Sequence, residues 1–329
     1  MPHPNLPFLC QPDCYVYEAN RGHNHPDSSL VECLIEFKTT SDYDPFVRSV
    51  PSEPMSPTMG RNTFMSANSR GVKAAGQITA HATLILGAQY RTHIFLILIL
   101  REYSRIVRWD RGGAVVTAPI YHDEGHLLDF LIRFKDASPQ ARGRDITVEP
   151  ASDKELEEAR DVKELTNATS LLSLSIPDHS SSIRRRYIVE APRPELDVPV
   201  GRWTRVSIAY DVQRRKRVFL KDSWRVMLEG SAPEGEIYAR LHKHSVPNIP
   251  SCSQAGYIGN ELYHASRTHE FDTECGHSAH VMPYRHYRLV LDTIGRPLET
   301  FNRSHELVKA VYDALLGESA VCYRFGNVV

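Results

Sequence analysis

Arg217-Val-Phe-Leu-Lys221-Asp-Ser-Trp224, Glu234-Gly-Glu-Ile-Tyr238-Ala-Arg-Leu241 and His286-Tyr-Arg-Leu-Val-Leu291-Asp-Thr-Ile294-Gly-Arg-Pro-Leu298 follow one another in this order. Together they decide the fold of the second half of the chain. Val206, Ile208 and Tyr210 occupy alternate positions of one strand, and Val218 and Leu220 do the same on the next after Gln213-Arg214, the pattern of a half-buried hairpin. Lys221 is read as closing the second strand. From Pro233 the period changes to that of a helix, with Glu234, Ile237, Tyr238 and Leu241 on one face. A carboxylate on an inward stripe needs a cationic partner, because a lone buried charge is costly. Lys221 is the natural partner for Glu234, with Glu236 ranked second. Val246-Pro-Asn-Ile-Pro250 ends the helix, and Tyr287 to Leu291 forms the strand that runs into Asp292.

Outward from this core, 329 residues suggest roughly two domains of ordinary size. The 39 Lys and Arg residues balance 40 Asp and Glu, so no broad basic field points to nucleic acid or an anionic membrane. The longest apolar run, Ile94 to Leu100, is too short to span a bilayer, and the proline-containing start has no apolar core. An intracellular location, cytoplasmic or nuclear, is expected, with a protein partner or substrate whose identity the residues do not specify. The cysteines at 10, 14, 33, 252, 275 and 322 lack CxxC spacing and read as reduced thiols.

The expected fold class is α+β, in three parts. Residues 1–135 form a mixed α/β domain, with strands at 14–17, 30–38, 92–100 and 105–109, a helix at 72–86, and a tight hairpin at Asp110-Arg-Gly-Gly113. A Pro-, Ser- and Asn-rich loop is expected between Ser49 and Gly71. Residues 136–197 read as a linker, with a helix near Lys154 to Leu165 and a solvated Arg184-Arg-Arg186 cluster. Residues 198–329 hold the antiparallel sheet, its helix, and a further helix from Ser304 to Leu316 that gives way at Gly317.

The three opening stretches resemble the fungal-type protein kinase family. So do Ile35-Glu-Phe-Lys38, Gly76-Gln-Ile-Thr-Ala-His-Ala82, Arg91-Thr-His-Ile-Phe95 and Ile106-Val-Arg-Trp-Asp-Arg111. The resemblance implies a kinase small lobe with the start of a large lobe, and an ATP- and Mg²⁺-dependent transferase acting on Ser or Thr hydroxyls. It implies that Lys221 meets the nucleotide phosphates and Glu234 holds Lys221. Leu291 stands behind the adenine, Asp292 and Ile294 offer backbone groups to its edge, and Gly201 and Val206 cover it. The turn Gly201-Arg-Trp-Thr-Arg-Val206 is poor in glycine for close approach to phosphate. No His-Arg-Asp and no Asp-Phe-Gly follow, so an incomplete, pseudokinase-like site is expected, from an alternative splice, a frame error or a truncated gene.

A second constellation belongs to another class. Pro12-Asp13 opens the first strand and Glu36-Phe-Lys38 closes the second, so an antiparallel return brings Asp13 beside Glu36. Two carboxylates, Lys38, and Gln77 from the following helix suit a divalent metal and resemble the PD-(D/E)xK nuclease signature, which implies a restriction-endonuclease-like first half. The alternative pair Asp27 and Glu36 is too far apart along extended chain. His264, His269, Cys275, His277 and His280 could supply zinc ligands, but their spacing reads as a solvated loop.

Overall fold

The structure is a computed structural model that describes residues 12–18, 27–46, 64–162, 165, 170–177, 184–193, 198–275 and 281–325. The chain divides into two compact units. One comprises residues 1–146, 192–203 and 260–285, the other residues 147–191, 204–259 and 286–329. Residues 49–63 of the loop expected between Ser49 and Gly71, together with His277 and His280, lie outside the described residues, and the end of that stretch is already helix from Ser69.

The first unit is built from β1 (Cys14–Tyr17), β2 (Val31–Phe37), α1 (Ser69–Ala88), β3 (His93–Ile99), β4 (Tyr103–Asp110), β5 (Gly113–Val116), β6 (Ile120–Tyr121) and α2 (His126–Asp136). Its sheet runs β1-β2-β3-β4-β5, with β6 also paired to β4. β2 and β3 are parallel while the other pairs are antiparallel. A parallel pair needs a crossover, and α1 supplies it. Asn68 caps that helix, its side chain accepting the Gly71 N–H at 2.7 Å. Ile78, Ala82 and Ile85 then pack with Leu34, Ile94, Leu96 and Leu98 in a core closed to solvent. β3 reads as an unbroken apolar run because most of its residues are buried on both faces. At the expected hairpin, Asp110 pairs with Gly113 and its carboxylate accepts the Gly112 N–H at 2.8 Å.

The second unit begins with β7 (Val148–Pro150), α3 (Asp153–Glu158), β8 (Leu171–Pro177) and β9 (Arg184–Glu190), followed by β10 (Arg205–Asp211), β11 (Lys216–Val226), α4 (Glu234–Lys243) and β12 (Cys252–Tyr257). The chain then gives a single turn, α5 (Glu261–His264), to the first unit before β13 (Tyr284–Leu291) and α6 (Ser304–Phe325). The sheet is seven-stranded, in the order β12-β13-β11-β10-β9-β8-β7. This is an α+β arrangement in which a helix lies on an antiparallel sheet.

Several expectations are corrected here. The stretch read as a linker supplies β7, β8 and β9, because Leu174, Ile176, Tyr187, Ile188 and Val189 form a buried pair of strands whose flanking Ser and Arg residues conceal the pattern. Arg186 stays open to solvent, its side chain 42% exposed, but it is also paired: its Nε lies 2.8 Å from the buried Glu155 carboxylate. The β10–β11 turn spans Val212 to Arg215, with Arg215 in the left-handed region at φ 51°. Lys221 therefore stands inside β11 and does not end it. α6 continues through Gly317 to Phe325, since one glycine costs a helix only about 1 kcal/mol. Among the described residues no helix is long and apolar enough to cross a membrane, and Cys14, Cys33 and Cys252 are free thiols.

β11 carries charge on both faces. On the face away from α4, Asp222 is buried and receives His286 Nε2 at 2.9 Å and Arg288 Nε at 2.6 Å. Arg288 also donates to Thr147 Oγ1 at 2.7 Å, and the His286 ring stacks on Trp224. Burial raises the Asp222 carboxyl, but His286 and Arg288 beside it lower it further, so it sits well below the usual carboxylate range. A depressed folded value means that the unfolded chain binds the extra proton, and the resulting stability is present above about pH 4 and lost as the pH falls further. Denaturant unfolding from about pH 7 down to about pH 3 is expected to show this loss, with a shallower slope for Asp222→Asn. Arg288→Met leaves the carboxylate short of its guanidinium and is expected to cost about 3–5 kcal/mol at neutral pH.

Candidate functional site

Lys221 faces α4, between the strand positions of Phe219 and Ser223 and directly across from Val206 on β10. Its Nζ donates to both carboxylate oxygens of Glu234, at 2.9 and 2.8 Å. Both side chains are part-buried, 20% and 32% exposed, so water screens the pair only in part and a phosphate can still reach the ammonium. Glu234 is the first residue of α4, where the helix dipole favours a carboxylate. Glu236, ranked second, instead pairs with Arg240 on the exposed side. Ile237, placed by periodicity on the inward face, is 45% exposed, so the inward stripe is Glu234, Tyr238 and Leu241.

The distance between helix and sheet is set at Gly235. Its N–H donates to the Tyr287 hydroxyl at 2.9 Å, and a Cβ there would lie 2.4 Å from the Ala255 Cβ. Tyr287, Leu289 and Leu291 form a small core with Phe219, Tyr238 and Cys252 beneath the helix. Burial pushes the Tyr287 phenol up to about 12, which keeps it a neutral acceptor for Gly235. Arg225 donates to the Tyr257 hydroxyl at 2.6 Å and to the Ser231 carbonyl, so the approach to α4 is tied to the end of β11.

At the far end of β13, Leu291 is buried in that core. The Asp292 N–H is committed to the Ser251 carbonyl at 2.9 Å, so only its carbonyl could serve an adenine edge. The Asp292 carboxylate receives Arg214 at 2.8 Å and Lys216 at 3.0 Å. Arg214 also reaches Asp211 at 2.6 Å and Ser253 at 2.8 Å. Ile294 is part-buried. Val206, opposite Lys221, is 58% exposed. Gly201 lies in the first unit, where its N–H donates to the Arg111 carbonyl at 2.8 Å and the Trp203 ring lies 4.3 Å over the Arg111 guanidinium. Sequence reading missed Tyr287, Gly235 and Arg214. Gln213-Arg-Arg-Lys216 looks like an ordinary solvated turn, and a glycine inside a helix carries no sign that it is a contact point.

In the first unit, Lys38 Nζ lies 2.6 Å from Glu36 Oε1 and 2.9 Å from Gln77 Oε1, so the structure brings these three predicted residues together. Cys14 pairs with Ile35, which sets Asp13 opposite Glu36, and the Asp13 carboxylate accepts the Phe37 N–H at 2.8 Å. His81, one turn beyond Gln77, joins this group without having been foreseen: its Nδ1 is 3.8 Å from Glu36 Oε2. Burial, then the Lys38 charge, lowers the His81 ring to about 4, so it is neutral at physiological pH. Asp27 is spent locally on Ser29. His264 is buried 3.8 Å from Asp145, which removes it from a solvated loop.

The family model for fungal protein kinases matches residues 61–323. The chain belongs to that family. No curated protein and no solved structure matches it. For this fungal protein kinase family member the matched span contains the whole second unit apart from its last residues, and Lys221 and Glu234 with it, whereas Asp13, Glu36 and Lys38 precede it. Gly235→Ala is expected to force α4 away from β12 at an overpacking cost of about 1–3 kcal/mol. Hydrogen exchange should then rise in Glu234–Lys243 before it rises in β11, because the helix is what the extra methyl displaces.

Proposed function

We propose that the second unit is a nucleotide-binding lobe that takes ATP, with the Lys221 ammonium on the phosphates. The observation that carries this reading is the two-oxygen ion pair between Lys221 and Glu234. An ammonium has three donors, and a carboxylate that fixes its position leaves it one to offer a phosphate oxygen. Val206 supports the same reading as an exposed apolar side chain directly across from Lys221, available to lie against a base. The carbonyl of Asp292, held in place through Arg214 and Lys216, and the backbone of Ile294 are then the groups facing the adenine edge.

ATP with Mg²⁺ is the cofactor pair that the family's chemistry uses. The 329 residues hold neither His-Arg-Asp nor Asp-Phe-Gly, and these supply hydroxyl orientation and metal ligation in kinase phosphoryl transfer. The proposal is therefore nucleotide binding, without phosphoryl transfer by these residues, and a binding or scaffold role follows from it.

Unfolding in the presence of ATP and Mg²⁺ tests the reading. At a nucleotide concentration one hundred times the dissociation constant, stabilisation of about 2.7 kcal/mol is expected. Lys221→Ala should lose most of that shift while remaining folded without nucleotide, because the side chain is only part-buried. An equal shift in Lys221→Ala, or none in the unaltered chain, overturns the proposal.

A further inference from the structure

Three ligand-type atoms in the first unit are buried with nothing to bond. The Glu36 side chain is 1% exposed; Lys38 and Gln77 occupy its Oε1, while Oε2 has no hydrogen-bond partner. Both ring nitrogens of the fully buried His81 also lack one, and Nδ1 stands 3.8 Å from Oε2. That separation is too long for a hydrogen bond between them. A buried carboxylate oxygen and imidazole left facing each other unpaired carry a desolvation cost that native structures rarely leave uncompensated. Something small and polar belongs between them.

Two features identify it as a cation. Atoms bound to one divalent cation at about 2.1 Å stand about 3–4 Å apart, the span seen between Oε2 and Nδ1. A second carboxylate, Asp13, is opposite Glu36 in the β1–β2 register, on the same face of the pair. Against these two carboxylates there is one ammonium in the cluster, that of Lys38. Lys38 and Gln77, which close over Glu36, are also walls of a pocket of about 260 Å³ that Thr39, Tyr43 and Lys73 help to line. Two lysines, a threonine and a tyrosine thus line a pocket that shares Lys38 and Gln77 with the Glu36 cluster, a setting for a phosphate ester near a metal ion.

We propose that Glu36 Oε2 and His81 Nδ1 hold a divalent cation, that Asp13 turns from the Phe37 N–H to join them, and that phosphate oxygens reach the cation through the Lys38–Lys73 pocket. Mixed oxygen and nitrogen ligation favours Mn²⁺ over Ca²⁺. His81 is the new member of this set, since the sequence pattern offered only the carboxylates, Lys38 and Gln77.

Paramagnetic titration of the full chain with Mn²⁺ alone tests the cation site. One site is expected, and Glu36→Gln should weaken it at least about tenfold. Lys38→Met removes the ammonium that competes for Glu36 and is expected to bind Mn²⁺ more tightly, a direction that loss of folding cannot produce. A water bridging Glu36 and His81 in place of a cation gives no Mn²⁺ binding, and that result overturns the proposal. So does unchanged affinity in Glu36→Gln, or affinity in Lys38→Met that fails to rise. For the pocket, inorganic phosphate and a short single-stranded oligodeoxynucleotide are added in separate arms in the Lys221→Ala background, so that the nucleotide lobe does not contribute. Tighter Mn²⁺ binding in either arm, lost in Lys73→Met, supports the phosphate route and tells free phosphate from a phosphodiester. No change in both arms overturns it.

Discussion

An ammonium inside a strand can meet a carboxylate on a helix only if the helix lies within side-chain reach of the sheet, and in the second unit Gly235 makes that approach possible. With no Cβ there, α4 settles onto Ala255 of β12 and hands its first free N–H to the Tyr287 hydroxyl. One unsatisfied donor at the helix start is thereby paired, and the neighbouring residue, Glu234, is fixed in the position from which it holds Lys221. The apolar contacts of Tyr238 with Phe219, Tyr287, Leu289 and Leu291 then keep the helix in place.

β11 shows how a strand can carry two charge systems with different purposes. The side chains of Lys221 and Asp222 point to opposite faces because the pleat alternates. Lys221 remains partly open and has a single anionic partner, which suits a group that must also bind a ligand. Asp222 is closed off by His286 and Arg288, with Thr147 completing the guanidinium's bonds. A network satisfied in this way fixes the register of the surrounding strands.

Glu36 in the first unit resembles neither. One of its oxygens is hydrogen-bonded and the other is not, although the side chain is out of water, and an imidazole with no hydrogen bond of its own stands 3.8 Å from the second oxygen. This imbalance marks it as a site for a ligand more clearly than the presence of two carboxylates does, since pairs of acidic residues are common on protein surfaces.

Sequence alone determined the α+β class, the hairpin of β10 and β11, the helix carrying Glu234, the partner of Lys221, and the neighbourhood of Asp13, Glu36, Lys38 and Gln77. The first four follow from a local period or from the cost of a lone buried charge, whereas Asp13 beside Glu36 follows from an antiparallel return and Gln77 from the resemblance to the nuclease signature. Only the tertiary structure decided that Val148–Pro150, Leu171–Pro177 and Arg184–Glu190 are strands and not linker, because burial of Tyr187 and Val189 depends on a seven-stranded sheet that no local pattern announces. It alone decided that Gly235 is a contact, that Arg214 holds Asp292, and that His81 faces Glu36. These are contacts across strands and between elements 20 to 78 residues apart, and the chemistry of each side chain in isolation is compatible with many other partners.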